Sequence, residues 1–272
     1  MTRTRLRTGF VGAGNMGQAL IAGLTHAGIA AADIGIAEPD IDRARTLQEQ
    51  FPGLALYTPS ELAEQARTLV LAVKPQILPR LAPALAAAVT DARPLVISVA
   101  AGTSTGQLAG WLGPETRIIR AMPNTPALVG AGIAGLFAND HATPADRQTA
   151  DQLLGAVGTT VWIEHEDQMH AVTATSGSGP AYVFLLIEAM AEAAERLGLD
   201  AGTARQLSLA TVSGAGQLAT QSEETAAQLR TRVTSPGGTT ERAVAVLQDG
   251  GFMELLSEAM KAAAARSREL GG

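Results

Sequence analysis

Short β-like runs alternate with helical patterns through the first 160 residues, and the strand signal stops after about Glu164. That change of pattern limits the fold more than any composition figure. Strands are expected at 8–11, 34–37, 69–73, 95–99, 117–120, 134–138 and 160–163, and helices between them at 16–27, 40–50, 60–65, 79–88 and 145–154. Such alternation predicts a parallel sheet wound by crossover helices. Strands rich in Val, Ile and Leu suit a sheet covered on both faces. Beyond Asp167 the expected elements are helices only: 168–175, 180–197, 201–219, 225–233, 240–248 and 252–269. Gly198 reads as a helix stop and Asp200 as the cap of the helix that follows. The expectation is a doubly wound, mainly parallel α/β domain over residues 1–164 and an all-α domain over 165–272.

The helices of the second half are rich in alanine, and Gly214 and Gly216 permit close helix packing. Their apolar surface exceeds what about 100 free residues can cover, so a homodimer interface is expected there; the alternative is packing on the first domain. Apolar residues are 46% of the chain and charged ones 17%, which suits a large core rather than disorder. The net charge of -6 argues against nonspecific nucleic-acid binding. With no cysteine, thiolate nucleophiles, disulfides and zinc–cysteine sites are excluded. The start, Met1-Thr2-Arg3-Thr4-Arg5-Leu6-Arg7, is basic without an apolar signal segment, and no apolar run reaches membrane-spanning length. A cytoplasmic protein without membrane partners is the expectation.

Two loops more than 200 residues apart carry ligand chemistry. The first, Gly12-Ala13-Gly14-Asn15-Met16-Gly17, lies between the first strand and the first helix. The first glycine permits a tight turn, the second lets the chain approach a pyrophosphate, and the third lets helix pack closely on strand. Glu38 ends the second strand, where an acid accepts hydrogen bonds from an adenosine ribose and repels a 2′-phosphate. This favours NADH over NADPH. Arg43 and Arg45 keep NADPH open, and a solvated Glu38-Pro39-Asp40 turn is the other reading of Glu38. Lys74, in Val73-Lys74-Pro75, either supports the cofactor or decorates the crevice rim. Ala100-Ala101-Gly102 and Met122-Pro123-Asn124-Thr125-Pro126 follow later strands, and their small residues leave room for a nicotinamide ring. Asn124 either bonds the nicotinamide carboxamide or holds its own Pro-rich loop.

The second loop, Thr234-Ser235-Pro236-Gly237-Gly238-Thr239-Thr240-Glu241, precedes an apolar helical pattern. A proline, two glycines and several hydroxyls ahead of a helix form a backbone cradle for a small anion. The N–H groups of Gly237, Gly238, Thr239 and Thr240 are expected to hold a carboxylate without help from lysine or arginine. An ordinary helix start with capping hydroxyls is the plain alternative. In Glu164-His165-Glu166-Asp167-Gln168-Met169-His170 the histidines are five apart, not the four of a zinc helix, so no metal site is expected. Ser176-Gly177-Ser178-Gly179-Pro180 breaks a helical region, either for close approach of a ligand or partner or as a proline kink.

These motifs resemble pyrroline-5-carboxylate reductases. The resemblance rests on Gly12-Ala13-Gly14-Asn15-Met16, Val73-Lys74-Pro75-Gln76, Arg120-Ala121-Met122-Pro123-Asn124-Thr125-Pro126, Ser176-Gly177-Ser178-Gly179-Pro180-Ala181-Tyr182 and Thr234-Ser235-Pro236-Gly237-Gly238-Thr239-Thr240. It runs through essentially the whole chain, and the last three motifs are the most specific. The resemblance implies an amino-terminal Rossmann domain, a carboxy-terminal helical dimerisation domain, dimers that often assemble into decamers, and reduction of 1-pyrroline-5-carboxylate to L-proline with NADPH or NADH. By position, Val11, Gly12, Ala13, Gly14, Asn15, Met16, Glu38, Val73, Lys74 and Ala101 match the family's cofactor contacts. Ser235, Thr239 and Thr240 match the substrate loop, with Thr240 near the ring nitrogen as the catalytic candidate. Glu166 and Glu223 match positions of the substrate region. Family members often carry a neutral or basic residue where Glu38 stands, a departure that bears on cofactor preference. Two other readings stand beside this one: a non-catalytic nucleotide and amino-acid sensor, and a hydroxyacid dehydrogenase of the 6-phosphogluconate type. The latter wants a lysine in the helical domain, where Lys261 alone is found.

Overall fold

The computed structural model describes residues 6–271; Met1-Thr2-Arg3-Thr4-Arg5 of the basic start, and Gly272, lie outside them. By internal contacts the chain divides into two units. One runs through Gly177 and takes in the chain from Ala263 onward; the other is Ser178–Ala262.

In the first unit the elements are β1 (Leu6–Val11), α1 (Asn15–His26), β2 (Ile34–Ala37), α2 (Ile41–Gln50), β3 (Ala55–Leu56), α3 (Pro59–Gln65), β4 (Ala66–Leu71), α4 (Leu78–Ala92), β5 (Leu95–Ser98), α5 (Thr105–Leu112), β6 (Ile118–Met122), β7 (Gly132–Ala138), α6 (Pro144–Gly155), β8 (Gly158–Trp162) and α7 (Met169–Val172). One eight-stranded sheet runs β3-β2-β1-β4-β5-β6-β7-β8. Every neighbouring pair is parallel except β6 with β7. The mainly parallel, doubly wound expectation holds.

Two apolar layers explain why the strands read as continuous apolar runs. On one face Leu20, Ile21 and Leu24 of α1 and Leu153 and Leu154 of α6 cover Phe10, Ile36, Val70 and Ile119. On the other, Leu62 of α3, Leu78 and Leu85 of α4 and Leu108 of α5 cover Val11, Leu69, Leu71 and Val96. A strand sandwiched this way needs no polar face, so β2 and β5 are buried at every position.

Two elements escaped sequence reasoning. β3 is only two residues long, too short to show a period. In α5 the glycines Gly106 and Gly110 dilute the helical pattern, but a start signal is present: Ser104 and Gln107 form a reciprocal capping box. The strand expected at 69–73 is instead Ala66–Leu71, which frees Ala72 and Val73 for the turn beside the glycine loop.

The second unit holds α8 (Gly179–Arg196), α9 (Ala201–Gln221), α10 (Ala226–Arg232), α11 (Thr239–Asp249) and the start of α12 (Phe252–Gly271). Asp200 caps α9, and hydrogen bonding from the Thr203 side chain first and its amide second holds the carboxyl below its ordinary value. Between Ser178 and Ala262 only Ala204 and Ser208 are buried. Phe184 is 63%, Leu185 64% and Val246 73% exposed. An apolar surface of this extent marks an interaction face. The shielded Tyr182 hydroxyl finds no hydrogen-bond partner among the described residues. No described helix is long and apolar enough to cross a membrane.

Candidate active site

β1 has β2 on one side and β4 on the other, so chain connections leave it in both directions and a crevice opens at its carboxyl end. The glycine loop fills that position. Gly12 has φ of 89°, and a Cβ there would lie 2.7 Å from Val73 Cγ1 and 2.8 Å from the Ala72 carbonyl oxygen. A Cβ on Gly17 would lie 2.7 Å from the Gly12 carbonyl oxygen, whereas one on Gly14 would meet nothing within 4 Å. Gly12 and Gly17 therefore serve the turn and the helix packing, while Gly14 borders open space of the kind a pyrophosphate needs. Gly14 is also the N-cap of α1 and supplies no capping side chain. The amides of Asn15, Met16 and Gly17 consequently stay available at the positive end of the helix. Val11 is buried beneath the loop and contributes its carbonyl to the Ala72 amide at 2.8 Å.

Glu38 is not a solvated turn residue, since its side chain is 4% exposed. Its Oε2 accepts from the Ala13 amide at 2.8 Å, and its Oε1 accepts from the Asp40 amide at 3.0 Å and from Arg43 Nη1 at 3.1 Å. Arg43 also pairs with Asp40, and Arg45 turns to Asp42 instead. The carboxylate thus stands against the glycine loop with an arginine behind it. Val73 packs on Gly12, and Lys74 is exposed with no ion pair among the described residues.

The loops after β5 and β6 end at the same edge of the sheet. Ala101 is half-buried in the first of them. In the second, Asn124 is 8% exposed. Its Oδ1 accepts from the Ile133 amide at 3.0 Å and its Nδ2 donates to the Ser176 carbonyl at 3.1 Å. Asn124 thus performs the structural role read from sequence, holding its own loop. Gly177 follows the same logic: a Cβ there would lie 2.6 Å from Met122 Cε, so the glycine lets this helical turn close on the loop. A π-helical turn over 173–177 and Pro180 in the first turn of α8 account for the break in the helical pattern.

Glu166 ties together separate elements of this unit. Its Oε1 accepts from the Thr105 amide at 2.8 Å and from Arg120 Nη1 at 3.1 Å, and its Oε2 accepts from Thr105 Oγ1 at 2.7 Å. The carboxylate caps α5 and neutralises Arg120, itself 4% exposed. Thr105 and Arg120 were missed as its partners. The available signal was an arginine in the middle of an apolar strand, which needs a buried anion. Close by, burial lowers His170 below its ordinary 6.5, reinforced by the charges of Arg120 and Arg268 and opposed by Asp167 and Glu166. In the segment considered for metal binding, Gln168 Oε1 accepts from the Glu164 and His165 amides. No cluster suited to a metal ion occurs among the described residues.

In the second unit the loop before α11 is a tight turn. Gly238 donates to the Ser235 carbonyl at 3.0 Å, with Pro236 and Gly237 between them and Gly237 at φ of 70°. Proline followed by a glycine at positive φ is the pattern of a type II turn. The Gly237 amide donates to Glu241 Oε2 at 2.8 Å. Both glycine amides are thus spent inside the turn, because each N–H has one hydrogen to give. The amides of Thr239 and Thr240 lie at the start of α11, whose N-cap Gly238 offers no side chain. Thr240 is half-buried, Ser235 and Thr239 are exposed, and Glu223 lies on the surface.

The chain is similar to known proteins along its whole length. A family profile for pyrroline-5-carboxylate reductase dimerisation matches residues 166–270, and one for coenzyme F420-dependent NADP oxidoreductase matches residues 7–102. The pyrroline-5-carboxylate reductase of Pseudomonas aeruginosa is 45% identical over 264 residues, covering 97% of this chain and 96% of the relative. A solved pyrroline-5-carboxylate reductase from Coxiella burnetii superimposes with a TM-score of 0.94 at 40% identity, covering 99% of this chain and 100% of the other. Plasmodium falciparum pyrroline carboxylate reductase, solved with NADP bound, gives 0.86 at 30% identity, with 99% of each chain covered. With a glycine-loop crevice in one unit and a type II turn ahead of α11 in the other, and with this kinship throughout, the chain belongs to the pyrroline-5-carboxylate reductase family.

Proposed function

We propose that this protein reduces 1-pyrroline-5-carboxylate to L-proline, the closing step of proline biosynthesis, in the cytoplasm and as a homo-oligomer. Full-length family membership is the observation that carries the reading. Residues 1–164 are assigned to the dinucleotide and 165–272 to dimerisation and substrate. The near absence of buried residues between Ser178 and Ala262 supports self-association, because such a segment lacks a core of its own. A decamer is the larger assembly proposed, by analogy with the family.

The amides of Asn15, Met16 and Gly17 are proposed to hold the pyrophosphate of a nicotinamide dinucleotide, with Gly14 giving it room and Val73, Lys74 and Ala101 bordering it. When bound, the reduced nicotinamide supplies a hydride. Glu38 selects NADH: a buried carboxylate can accept from a free 2′-hydroxyl, whereas a 2′-phosphate beside it would put like charges together at low dielectric.

The imine carbon accepts the hydride best when the ring nitrogen is protonated, so the site must keep a cationic nitrogen beside a carboxylate. The Thr239 and Thr240 amides suit the carboxylate, and the Thr240 hydroxyl, whose proton can rotate, suits the nitrogen before and after reduction. Ser235 and the two glycines set the turn that aims these groups. The proton on nitrogen arrives with the substrate or from water; hydride plus that proton balance the reduction of the C=N bond. The test is loss of reduced-nicotinamide absorbance when pyrroline-5-carboxylate is added, with proline as product. No turnover with either NADH or NADPH would sink the proposal.

A further inference from the structure

The carboxy-terminal turn of the chain meets the loop after β5. Gly102 has φ of 82°, and a Cβ on it would lie 3.1 Å from the carbonyl carbon and oxygen of Leu270. In the other direction, a Cβ on Gly271 would lie 2.7 Å from the Gly102 carbonyl oxygen. The two backbones therefore touch without intervening side chains. Gln107 serves both sides of this contact: its Oε1 accepts from the Ser104 amide at 2.9 Å to cap α5, and its Nε2 donates to the Gly271 carbonyl at 2.7 Å. That carbonyl is among the last four of α12, which have no partner within their own helix. One turn earlier Ser267, which is buried, lies with Oγ 3.0 Å from His170 Nδ1. Across the start of α5, Glu166 grips Thr105 and Arg120. The segment 100–105 is thus pinned at Thr105 by Glu166 and at Gly102 by the end of the chain.

We infer that the carboxy-terminal turn, Ser267 to Gly271, is a positioning element for dinucleotide binding: it fixes the Ala101–Gly102 loop against which the cofactor lies. The inference rests on the proposed role of Ala101, and α12 gains a task beyond dimerisation. The loop has little to hold it otherwise. Ala101 and Gly102 have almost no side chain to anchor, and Gly102 sits where only glycine is relaxed. A mobile loop there would lower dinucleotide affinity by the fraction of time spent out of place.

Two variants test this by direct NADH binding, read by nucleotide fluorescence, and by hydrogen exchange at 100–104. The first ends at Arg266. The second is Gln107→Glu, which keeps an acceptor for the Ser104 amide but cannot donate to Gly271. Both are expected to weaken NADH binding by about tenfold, the scale of one well-made hydrogen bond plus ordering. Both should speed exchange at 100–104, leave the 12–17 loop unchanged, and leave KM for pyrroline-5-carboxylate near wild type. If the shortened chain fails to fold, Gln107→Glu decides alone. Unchanged NADH affinity in a folded Gln107→Glu protein overturns the inference, and so does faster exchange at 100–104 without loss of affinity. A wild-type protein that binds NADH but does not reduce pyrroline-5-carboxylate would overturn the proposed reaction instead, and the binding measurement would still judge the tail.

Discussion

The Glu38 carboxylate accepts the Ala13 amide hydrogen at 2.8 Å, joining the end of β2 to the middle of the glycine loop. The contact fixes where the Glu38 carboxylate points. Glu38→Gln keeps an acceptor for Ala13 and removes the charge that would repel a 2′-phosphate, with Asp40 remaining as the partner of Arg43. The ratio of kcat/KM for NADH to that for NADPH is expected to fall by about tenfold to a hundredfold, mainly through a lower KM for NADPH. Steady-state kinetics with both cofactors provide the check. A wild-type preference for NADPH would refute the role given to Glu38.

Thr240 is the second residue of α11 and is half-buried. Thr240→Ala should lower kcat/KM by roughly tenfold to a thousandfold, the range for one or two hydrogen bonds to developing charge. Thr240→Ser should keep most of the activity, since the hydroxyl remains. Equal activity in the folded alanine variant would remove Thr240 from the mechanism.

Glu166→Ala leaves Arg120 without its counter-ion in a buried setting. Loss of about 2–4 kcal/mol of stability is expected, less than for a fully enclosed pair because Glu166 keeps some exposure. Urea unfolding measures it. A selective rise in KM for pyrroline-5-carboxylate would support the substrate role of Glu166; a change that follows dinucleotide affinity alone would count against it.

Phe184 and Leu185 stand in the exposed apolar face of α8. Phe184→Glu is expected to abolish self-association at micromolar concentration and to lower the melting temperature, because the second unit has almost no core of its own. Sedimentation velocity reads the first effect and circular dichroism the second. An unchanged oligomer would move the interface elsewhere.

His170 titrates below its ordinary 6.5 in the folded protein, because burial first and then Arg120 and Arg268 disfavour its charge. Asp167 and Glu166, also facing it, only partly offset this. The unfolded chain therefore takes up this proton at a higher pH than the folded one. The stability involved is fully present above about pH 6.5 and is lost as pH falls through the folded value. Urea midpoints measured from pH 8 to about 5 should decline less steeply in His170→Gln than in wild type. Identical slopes would show that His170 does not contribute.

The elements and the two ligand loops could be read from sequence because their signals are local. Apolar runs between helical periods, glycines spaced as Gly12, Gly14 and Gly17, and Pro236 ahead of Gly237 each act through residues within a few positions of themselves. The same locality announced an all-helical second half with more apolar surface than it could cover. Partners across the fold were another matter. Glu166 bonds Thr105, 61 residues away, and Arg120, partners that no local pattern announces. The loop-holding role of Asn124 depends on Ile133 and on Ser176, 52 residues away. The Gly237 and Gly238 amides donate to Glu241 and Ser235 within the turn. Gln107 and Gly271, 164 residues apart, share no pattern that a window along the chain can contain. Sequence determined which backbone shapes and which polar groups this protein has. Tertiary structure decided which of those groups are already satisfied, since a hydrogen bond depends on a few tenths of an ångström and not on distance along the chain.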